Sequence, residues 1–148
     1  ISIIQDSGVD EAKKFIGKYI VLYSIFSVVV ALVFWFIADF IIVNLYGPSL
    51  LKAVDYSKYL MLMLILISLN RLFNYCLTAL GENILFLKAS LSGAFVNIAA
   101  NLILIPIFFT YGAIWATFLA ESFLLVYSFT LVRRSLNKLK NERLYAQP

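Results

Sequence analysis

Residues 19–45 read YIVLYSIFSVVVALVFWFIADFIIVNL, and this stretch decides the fold class. Asp39 is its only charged side chain. An apolar run of roughly twenty residues matches the hydrocarbon core of a bilayer, which is about 30 Å thick. The run is continuous and lacks the in/out alternation of barrel strands. We therefore predict a transmembrane helix.

The rest of the chain has the same character. It has 148 residues, of which 63% are hydrophobic and 14% charged, and its mean hydropathy is +0.94. An average soluble domain is only about 45–50% apolar. We predict an all-α polytopic membrane protein with four transmembrane helices, at about residues 19–45, 58–80, 84–109 and 113–132.

The segment before the first span is polar and helix-forming. Ser7 and Asp10 have the spacing of a capping box, and charged residues alternate with apolar ones up to Lys18. This pattern predicts a short amphipathic helix at the cytoplasmic interface. Because the chain opens on this stretch at Ile1, without the charged region of a signal peptide, we expect it to be a segment of a longer protein.

Turn residues separate the predicted spans. Tyr46-Gly47-Pro48 ends the first span, and residues 49–57 form a connector to the second. We expect a tight turn at 81–83 and the shortest connection of the chain at 110–112.

Positive charges concentrate at one set of predicted helix ends. Nine lysines and arginines lie on the side of both termini: Lys13, Lys14, Lys18, Lys88, Arg133, Arg134, Lys138, Lys140 and Arg143. Only Lys52 and Lys58 lie on the other side, where aromatic residues gather as in an interfacial belt: Tyr46, Tyr56, Tyr59, Tyr111 and Trp115. By the positive-inside rule, both ends of the chain are predicted to be cytoplasmic.

Several kinds of function are disfavoured by composition. Histidine is absent and Cys76 is the only cysteine, which argues against zinc sites, histidine-based catalytic triads and disulfides. We predict no cofactor, no metal site and no enzymatic activity, since no paired catalytic residues occur in the spans. The net charge of +4 comes from residues at membrane boundaries, so nucleic acid is not an expected partner.

Polar residues inside the spans are the candidate site. They are Asn70, Arg71, Asn74, Asn97, Asn101 and Glu121. At about 1.5 Å per residue, Arg71 and Glu121 lie at similar depth, and Asn97 lies near the middle of its helix. These residues predict one hydrophilic layer through three helices, which either lines a passage or holds the helices together.

Arg71 is the most informative member of this layer. An arginine near the bilayer centre costs from about 3 to more than 10 kcal/mol unless it faces protein or water. Two interpretations stay open: a structural role, as an ion pair with Glu121 or as an arginine that snorkels to the membrane surface, or a cavity cation that meets an anionic substrate. Asp39 lies within two turns of the outer end, where we expect it to be solvated.

A more specific pattern begins in the third span. It consists of GAFVN at 93–97, NLILIP at 101–106, GAIWAT at 112–117, and then Glu121. The pattern resembles the C-terminal region of polysaccharide biosynthesis flippases, which include O-antigen flippases of the multidrug/oligosaccharidyl-lipid/polysaccharide exporter superfamily. Its structural positions here are Gly93, Pro106, Gly112 and Thr117. One departure is Phe109, at a position where relatives usually carry glycine, and it suggests a bulkier outer turn.

The resemblance implies a protein of about twelve helices in two bundles, with residues 1–148 as the last part of the second and the remainder upstream. It implies residence in the bacterial inner membrane and a role in polysaccharide biosynthesis, as for the O-antigen of lipopolysaccharide. The substrate would be a polyprenyl-pyrophosphate-linked oligosaccharide, moved to the periplasmic leaflet by alternating access. The other implied partners are membrane lipids and the rest of the same polypeptide.

The sequence leaves two alternatives to the function of a sugar-lipid flippase. A multidrug or cation antiporter of the same superfamily would use a buried carboxylate, here Glu121, to couple ion movement to export. A non-transporting membrane scaffold would use the polar layer only to join helices. An integral membrane enzyme is the least favoured class.

Overall fold

The computed structural model describes residues 9–145, and the side chains of residues 11–141. Within this part of the chain, four helical segments are long and apolar enough to cross a membrane: Glu11–Tyr46, Pro48–Ala79, Asn83–Phe108 and Thr110–Asn141. The shortest has 26 residues, which at 1.5 Å per residue is about 39 Å and exceeds the hydrocarbon core. The prediction of an all-α membrane protein with four transmembrane helices is confirmed.

The second span consists of two helices. The elements are α1 (Val9–Tyr46), a 3-10 turn (Pro48–Leu50), α2 (Leu51–Leu62), α3 (Leu64–Ala79), α4 (Asn83–Phe108) and α5 (Thr110–Tyr145). Between α2 and α3, the amide of Met63 donates to the carbonyl of Leu60 at 3.1 Å, three residues back. This tighter turn interrupts the helix without ending the span.

The predicted amphipathic helix is not a separate element. α1 runs without interruption from Val9 to Tyr46, because the junction near Tyr19 contains no proline and only one glycine, Gly17, which a helix tolerates. The predicted cap at Ser7 lies outside the described residues. The amino-terminal segment therefore extends the first transmembrane helix.

Three predicted boundaries are wrong in the same direction, because helices extend into predicted connections. Residues 49–57 are helical throughout, first in the 3-10 turn and then in α2. Residues 110–112 form the first turn of α5 rather than a loop. The polar tail continues α5 to Tyr145, since its lysines, arginines and leucines are good helix formers. Phe109 alone connects α4 to α5.

Two predicted turns are confirmed by their backbone. Gly47 has a φ of 86° after the end of α1, and Gly81 has a φ of 78° between α3 and α4. Glycine reaches these positive φ values without a steric penalty. Both residues end their helices where the sequence predicts.

The helices pack with α3 and α5 in the centre. α1 packs on α2 and α3, α5 packs on α3 and α4, and no contact joins α1 to α4 among the described residues. The flanking helices therefore leave broad apolar faces uncovered, which include Phe36 and Phe40 on α1 and Phe95 and Leu102 on α4. In a membrane, such faces meet lipid or other helices.

The two ends of the molecule differ. At the end that holds the start of α1, a buried apolar cluster joins four helices: Ala12, Phe73, Leu77, Ala89, Leu131, Val132 and Leu136. At the opposite end, the Tyr111 ring lies 5.0 Å from the Tyr56 ring and 6.2 Å from the Tyr59 ring. Three of the predicted aromatic residues thus meet at one end, and the exposed lysines and arginines of α1, α4 and α5 lie at the other.

The contact between α4 and α5 is built on small residues. Gly112, Ala116 and Ala120 recur every fourth position on α5, and all three are buried. On α4, a Cβ added to Gly93 would lie 3.3 Å from a methyl carbon of Leu124. Small residues at this spacing let membrane helices approach closely.

The connection at Phe109 carries backbone strain. Phe109 has φ 53° and ψ −126°, a region that favours glycine and costs other residues about 1–3 kcal/mol. Its ring is 76% exposed, so it contributes little packing within the described chain. We expect Phe109→Gly to raise the unfolding midpoint of the purified full-length protein.

The neighbouring Phe108 provides the control for this substitution. Phe108 is the last residue of α4, and glycine in a helix is less favourable than most residues by up to about 1 kcal/mol. We expect Phe108→Gly to lower the unfolding midpoint. If both substitutions shifted the unfolding midpoint in the same direction, the assignment of backbone strain to Phe109 would be contradicted.

Candidate membrane-embedded polar site

The centre of the molecule contains a polar contact between α3 and α5. The side-chain amide of Asn70 donates to the Glu121 carboxylate at 2.5 Å and to the Glu121 main-chain carbonyl at 3.0 Å. Asn70 is only 2% exposed. Asn70 is next to Arg71 in the chain, so this contact lies at the depth that helix geometry predicts for Arg71 and Glu121.

One oxygen of this contact lacks a partner. The carbonyl oxygen of the Asn70 side chain is buried and accepts no hydrogen bond from any described residue. One helical turn away, the hydroxyl of Ser128 lies 3.5 Å from the side-chain oxygen of Asn74, at the limit of hydrogen bonding. Asn70 and Asn74 thus lie on the face of α3 that packs on α5.

A second polar contact extends the layer to α1. The Ser27 hydroxyl donates to the Ser68 hydroxyl at 2.6 Å, and Ser27 is fully buried. Neither serine was identified from sequence, because a serine in a helix commonly bonds its own backbone, as Ser68 also does to Leu64. The polar layer therefore joins α1, α3 and α5.

Arg71 is not part of these contacts. Its side chain is exposed, and the described residues give it no ion pair or hydrogen bond. The expected partner Glu121 is bonded to Asn70 instead. Arg71 lies on the open face of α3 with the exposed residues Tyr75 and Thr78, one and two turns further along the helix. The Arg71–Glu121 ion pair, one of the interpretations left open by the sequence, is therefore absent from the described residues.

The asparagines of α4 bond within their own helix. The side-chain amide of Asn101 donates to the carbonyl and the side-chain oxygen of Asn97, both at 2.9 Å. Gly93, one turn before Asn97, packs on Leu124, which places Asn97 near the level of Ala120 and Glu121. Asn97 shares the depth of the layer but has no hydrogen bond to α3 or α5.

The residues of the sequence pattern lie around the α4–α5 connection. Pro106 lies in the last turn of α4, and the Thr117 hydroxyl donates to the carbonyl of Ala113 at 2.9 Å within α5. Gly112 makes the closest approach, since an added Cβ would lie 2.2 Å from the carbonyl oxygen of Leu104. Gly93 and Gly112 thus have packing roles.

An ion pair occurs near the aromatic end, where sequence predicted only a solvated acid. The ammonium of Lys58 lies 2.5 Å from the Asp39 carboxylate and 5.6 Å from the centre of the Trp35 ring. The Lys58 side chain is 16% exposed and that of Asp39 60%. The pair joins α1 to α2.

The remaining chemistry of the described residues is limited. No group of three or more histidine, cysteine or acidic side chains is placed to hold a metal ion in this part of the chain. No family model, curated protein or solved structure matches the chain. The polar residues inside the membrane spans are therefore the features that bear on function.

The hydrogen bonds of Asn70 predict a measurable contribution to stability. Asn70→Leu removes the donor to Glu121 and leaves a membrane-embedded carboxyl without its partner. We expect a loss of about 1–2 kcal/mol in the free energy of unfolding, measured in detergent on the full-length protein.

Asn101→Leu is the matched control, because the Asn101 amide bonds only within α4. We expect it to change stability by less than about 0.5 kcal/mol. Equal losses for the two variants would show that the Asn70–Glu121 contact has no special role.

Proposed function

We propose that this chain takes part in moving a polyprenyl-pyrophosphate-linked oligosaccharide from the cytoplasmic to the periplasmic leaflet, by alternating access. The observation that carries the proposal is Arg71, an exposed cation inside the membrane span Pro48–Ala79 with no anionic partner among the described residues. A pyrophosphate is an anion that arginine binds well, through paired charge-assisted hydrogen bonds.

The energetics favour a polar environment for Arg71. Exposure of a charged arginine to hydrocarbon is costly, and water, another polar surface or an anionic ligand beside the open face of α3 lowers that cost, as does snorkelling to the membrane surface. Glu121 does not pair with Arg71 among the described residues, and its carboxylate accepts a hydrogen bond from the Asn70 amide. In this proposal Arg71 faces a wetted cavity, and the pyrophosphate passes along it.

The resemblance to polysaccharide flippases is part of the same proposal. Phe109 occupies the position at which those flippases usually carry glycine, and its backbone has the positive φ that glycine favours. Its Gly112 lies where α4 and α5 approach too closely for any side chain. Both observations agree with the pattern expected of that family, of which this chain would supply the C-terminal part.

One further observation favours a second candidate function. Glu121 is an acid in the middle of a span whose described hydrogen-bond donor is a neutral amide, not a cation. Such a carboxyl can bind a small cation. This arrangement suits a cation-coupled antiporter of the same superfamily, in which Glu121→Gln abolishes transport and Arg71→Ala does not.

The orientation in the bacterial inner membrane is also proposed, from the nine-to-two distribution of positive residues. Reporter fusions after Gly81 and after Asn141 are expected to report the cytoplasm, and fusions after Ser49 and after Phe109 the periplasm. These sites lie at or near the helix ends. A periplasmic signal from the Asn141 fusion would contradict the proposed orientation.

The proposed function is tested by deletion of the whole gene. We expect lipid-linked oligosaccharide to accumulate on the cytoplasmic leaflet and surface polysaccharide to fall, with both restored by the wild-type gene. A normal distribution of the lipid-linked intermediate, with loss of drug resistance instead, would favour the antiporter. Loss of an unrelated membrane complex without either effect would favour a scaffold.

A further inference from the structure

A cavity of about 380 Å³ lies between α1 and α5, at the end of the molecule that carries the basic residues. Lys13 of α1 and Arg133 and Asn137 of α5 supply its polar lining, and Ile20, Phe73 and Phe129 are among its apolar walls. The cavity therefore combines two cations with an apolar surface that continues toward the membrane interior.

The two cations are available to a ligand. Lys13 and Arg133 are exposed, and neither has an ion pair or hydrogen bond within residues 11–141. No carboxylate among the described residues lines the cavity. The nearby acid Glu11 lines a neighbouring cavity with Lys14 and Lys18. The cavity thus presents uncompensated positive charge.

The position of the cations matches a lipid headgroup. On one side of them lie apolar walls and the buried cluster that contains Phe73 and Val132. On the other side α5 continues with the exposed polar residues Arg134 and Asn137. Lys13 and Arg133 therefore mark the boundary between the apolar span and the polar end, which is the level of lipid phosphates.

We propose that this cavity is a binding site for an anionic phospholipid of the surrounding membrane. Lys13 and Arg133 bind the lipid phosphate, Asn137 adds a hydrogen-bonding side chain, and the apolar walls contact the glycerol and the start of one acyl chain. Basic pockets between transmembrane helices select anionic lipids in this way. The site is separate from Arg71 and does not depend on the proposed transport function.

Gly17 gives the site an independent structural test. Gly17 lines the cavity, and a Cβ added to it would meet nothing within 4 Å. A leucine at this position adds an apolar side chain to the cavity lining without removing a charge, and its Cβ meets no neighbouring atom. Gly17→Leu is therefore expected to block the lipid while leaving the fold intact.

The experiment uses the full-length protein in nanodiscs of phosphatidylcholine that contain a minor fraction of phosphatidylglycerol, with the retained lipid counted by native mass spectrometry. The wild type is expected to enrich phosphatidylglycerol. Because each cation near the membrane surface contributes a factor of about five, Lys13→Gln with Arg133→Gln is expected to reduce the enrichment by more than tenfold. Gly17→Leu is expected to have a similar effect.

The control is Lys14→Gln with Arg134→Gln, which removes the same net charge from residues that do not line this cavity. It is expected to retain the enrichment. Equal loss in both double variants would show only a general surface charge effect and would overturn the proposal. So would unchanged enrichment in Gly17→Leu, or displacement of the lipid by millimolar inorganic phosphate, which would indicate a site for free anions.

Discussion

Arg71→Ala and Arg71→Glu are expected to abolish export of the lipid-linked oligosaccharide while protein abundance stays close to wild type. Charge-assisted hydrogen bonds contribute about 1.5–3 kcal/mol each, so the loss should exceed about tenfold. Abundance is expected to hold because Arg71 makes no ion pair or hydrogen bond within the described residues. Arg71→Lys keeps the charge but loses the paired geometry, and should retain part of the activity.

Two controls separate a substrate role from a structural one. Lys52→Ala removes an exposed cation of α2, outside the central layer, and is expected to leave export unchanged. The double variant Arg71→Glu with Glu121→Arg is expected to stay inactive, because the two residues form no pair in the structure. Recovery of both abundance and export in the double variant would show that Arg71 pairs with Glu121 after all.

Gly112→Ala is expected to destabilise the protein more than a methyl group added at any other glycine of the described helices. The new Cβ would lie 2.2 Å from the oxygen and 2.5 Å from the carbon of the Leu104 carbonyl. These are backbone atoms, so relief requires α4 and α5 to separate rather than a side chain to rotate. Overpacking of this kind costs about 1–3 kcal/mol and sometimes more.

Gly17→Ala is the matched control, since the same methyl at that position meets nothing within 4 Å. Alanine is favoured over glycine in a helix by about 1 kcal/mol, so the unfolding midpoint should stay or rise. Thermal unfolding of the full-length protein in detergent measures both variants. A Gly112→Ala protein as stable as the Gly17→Ala protein would contradict the close approach of α4 and α5.

The number of transmembrane helices follows from the length and pattern of the apolar runs. Apolar runs of sufficient length can satisfy their backbone groups in lipid only as helices or closed barrels, and these runs lack the alternation of barrel strands. The ends of the helices were harder to predict. Phe109 is a bulky residue at the true turn, whereas Gly112 belongs to a helix, so residue preferences placed the start of the last helix three residues too late.

The depth of the polar residues was predictable, but their partners were not. A fixed rise per residue places Glu121 level with the middle of α3, and the contact with Asn70 lies there. Consecutive residues on a helix point about 100° apart, so Asn70 faces α5 while Arg71 faces the open side. Rotation about the helix axis is set by packing of small residues and serines on neighbouring helices, which a single sequence does not display.

The central claim is that Arg71 serves the passage of a pyrophosphate-linked lipid, and transbilayer movement in proteoliposomes tests it most directly. The full-length protein is reconstituted with a fluorescent polyprenyl-pyrophosphate-linked oligosaccharide, and the fraction reached by an impermeant reductant is followed over time. We expect wild-type protein to expose the inner-leaflet pool and Arg71→Ala to leave it as protected as in protein-free vesicles. Movement at the wild-type rate by a well-folded Arg71→Ala protein would contradict a role for Arg71 in the passage of the lipid.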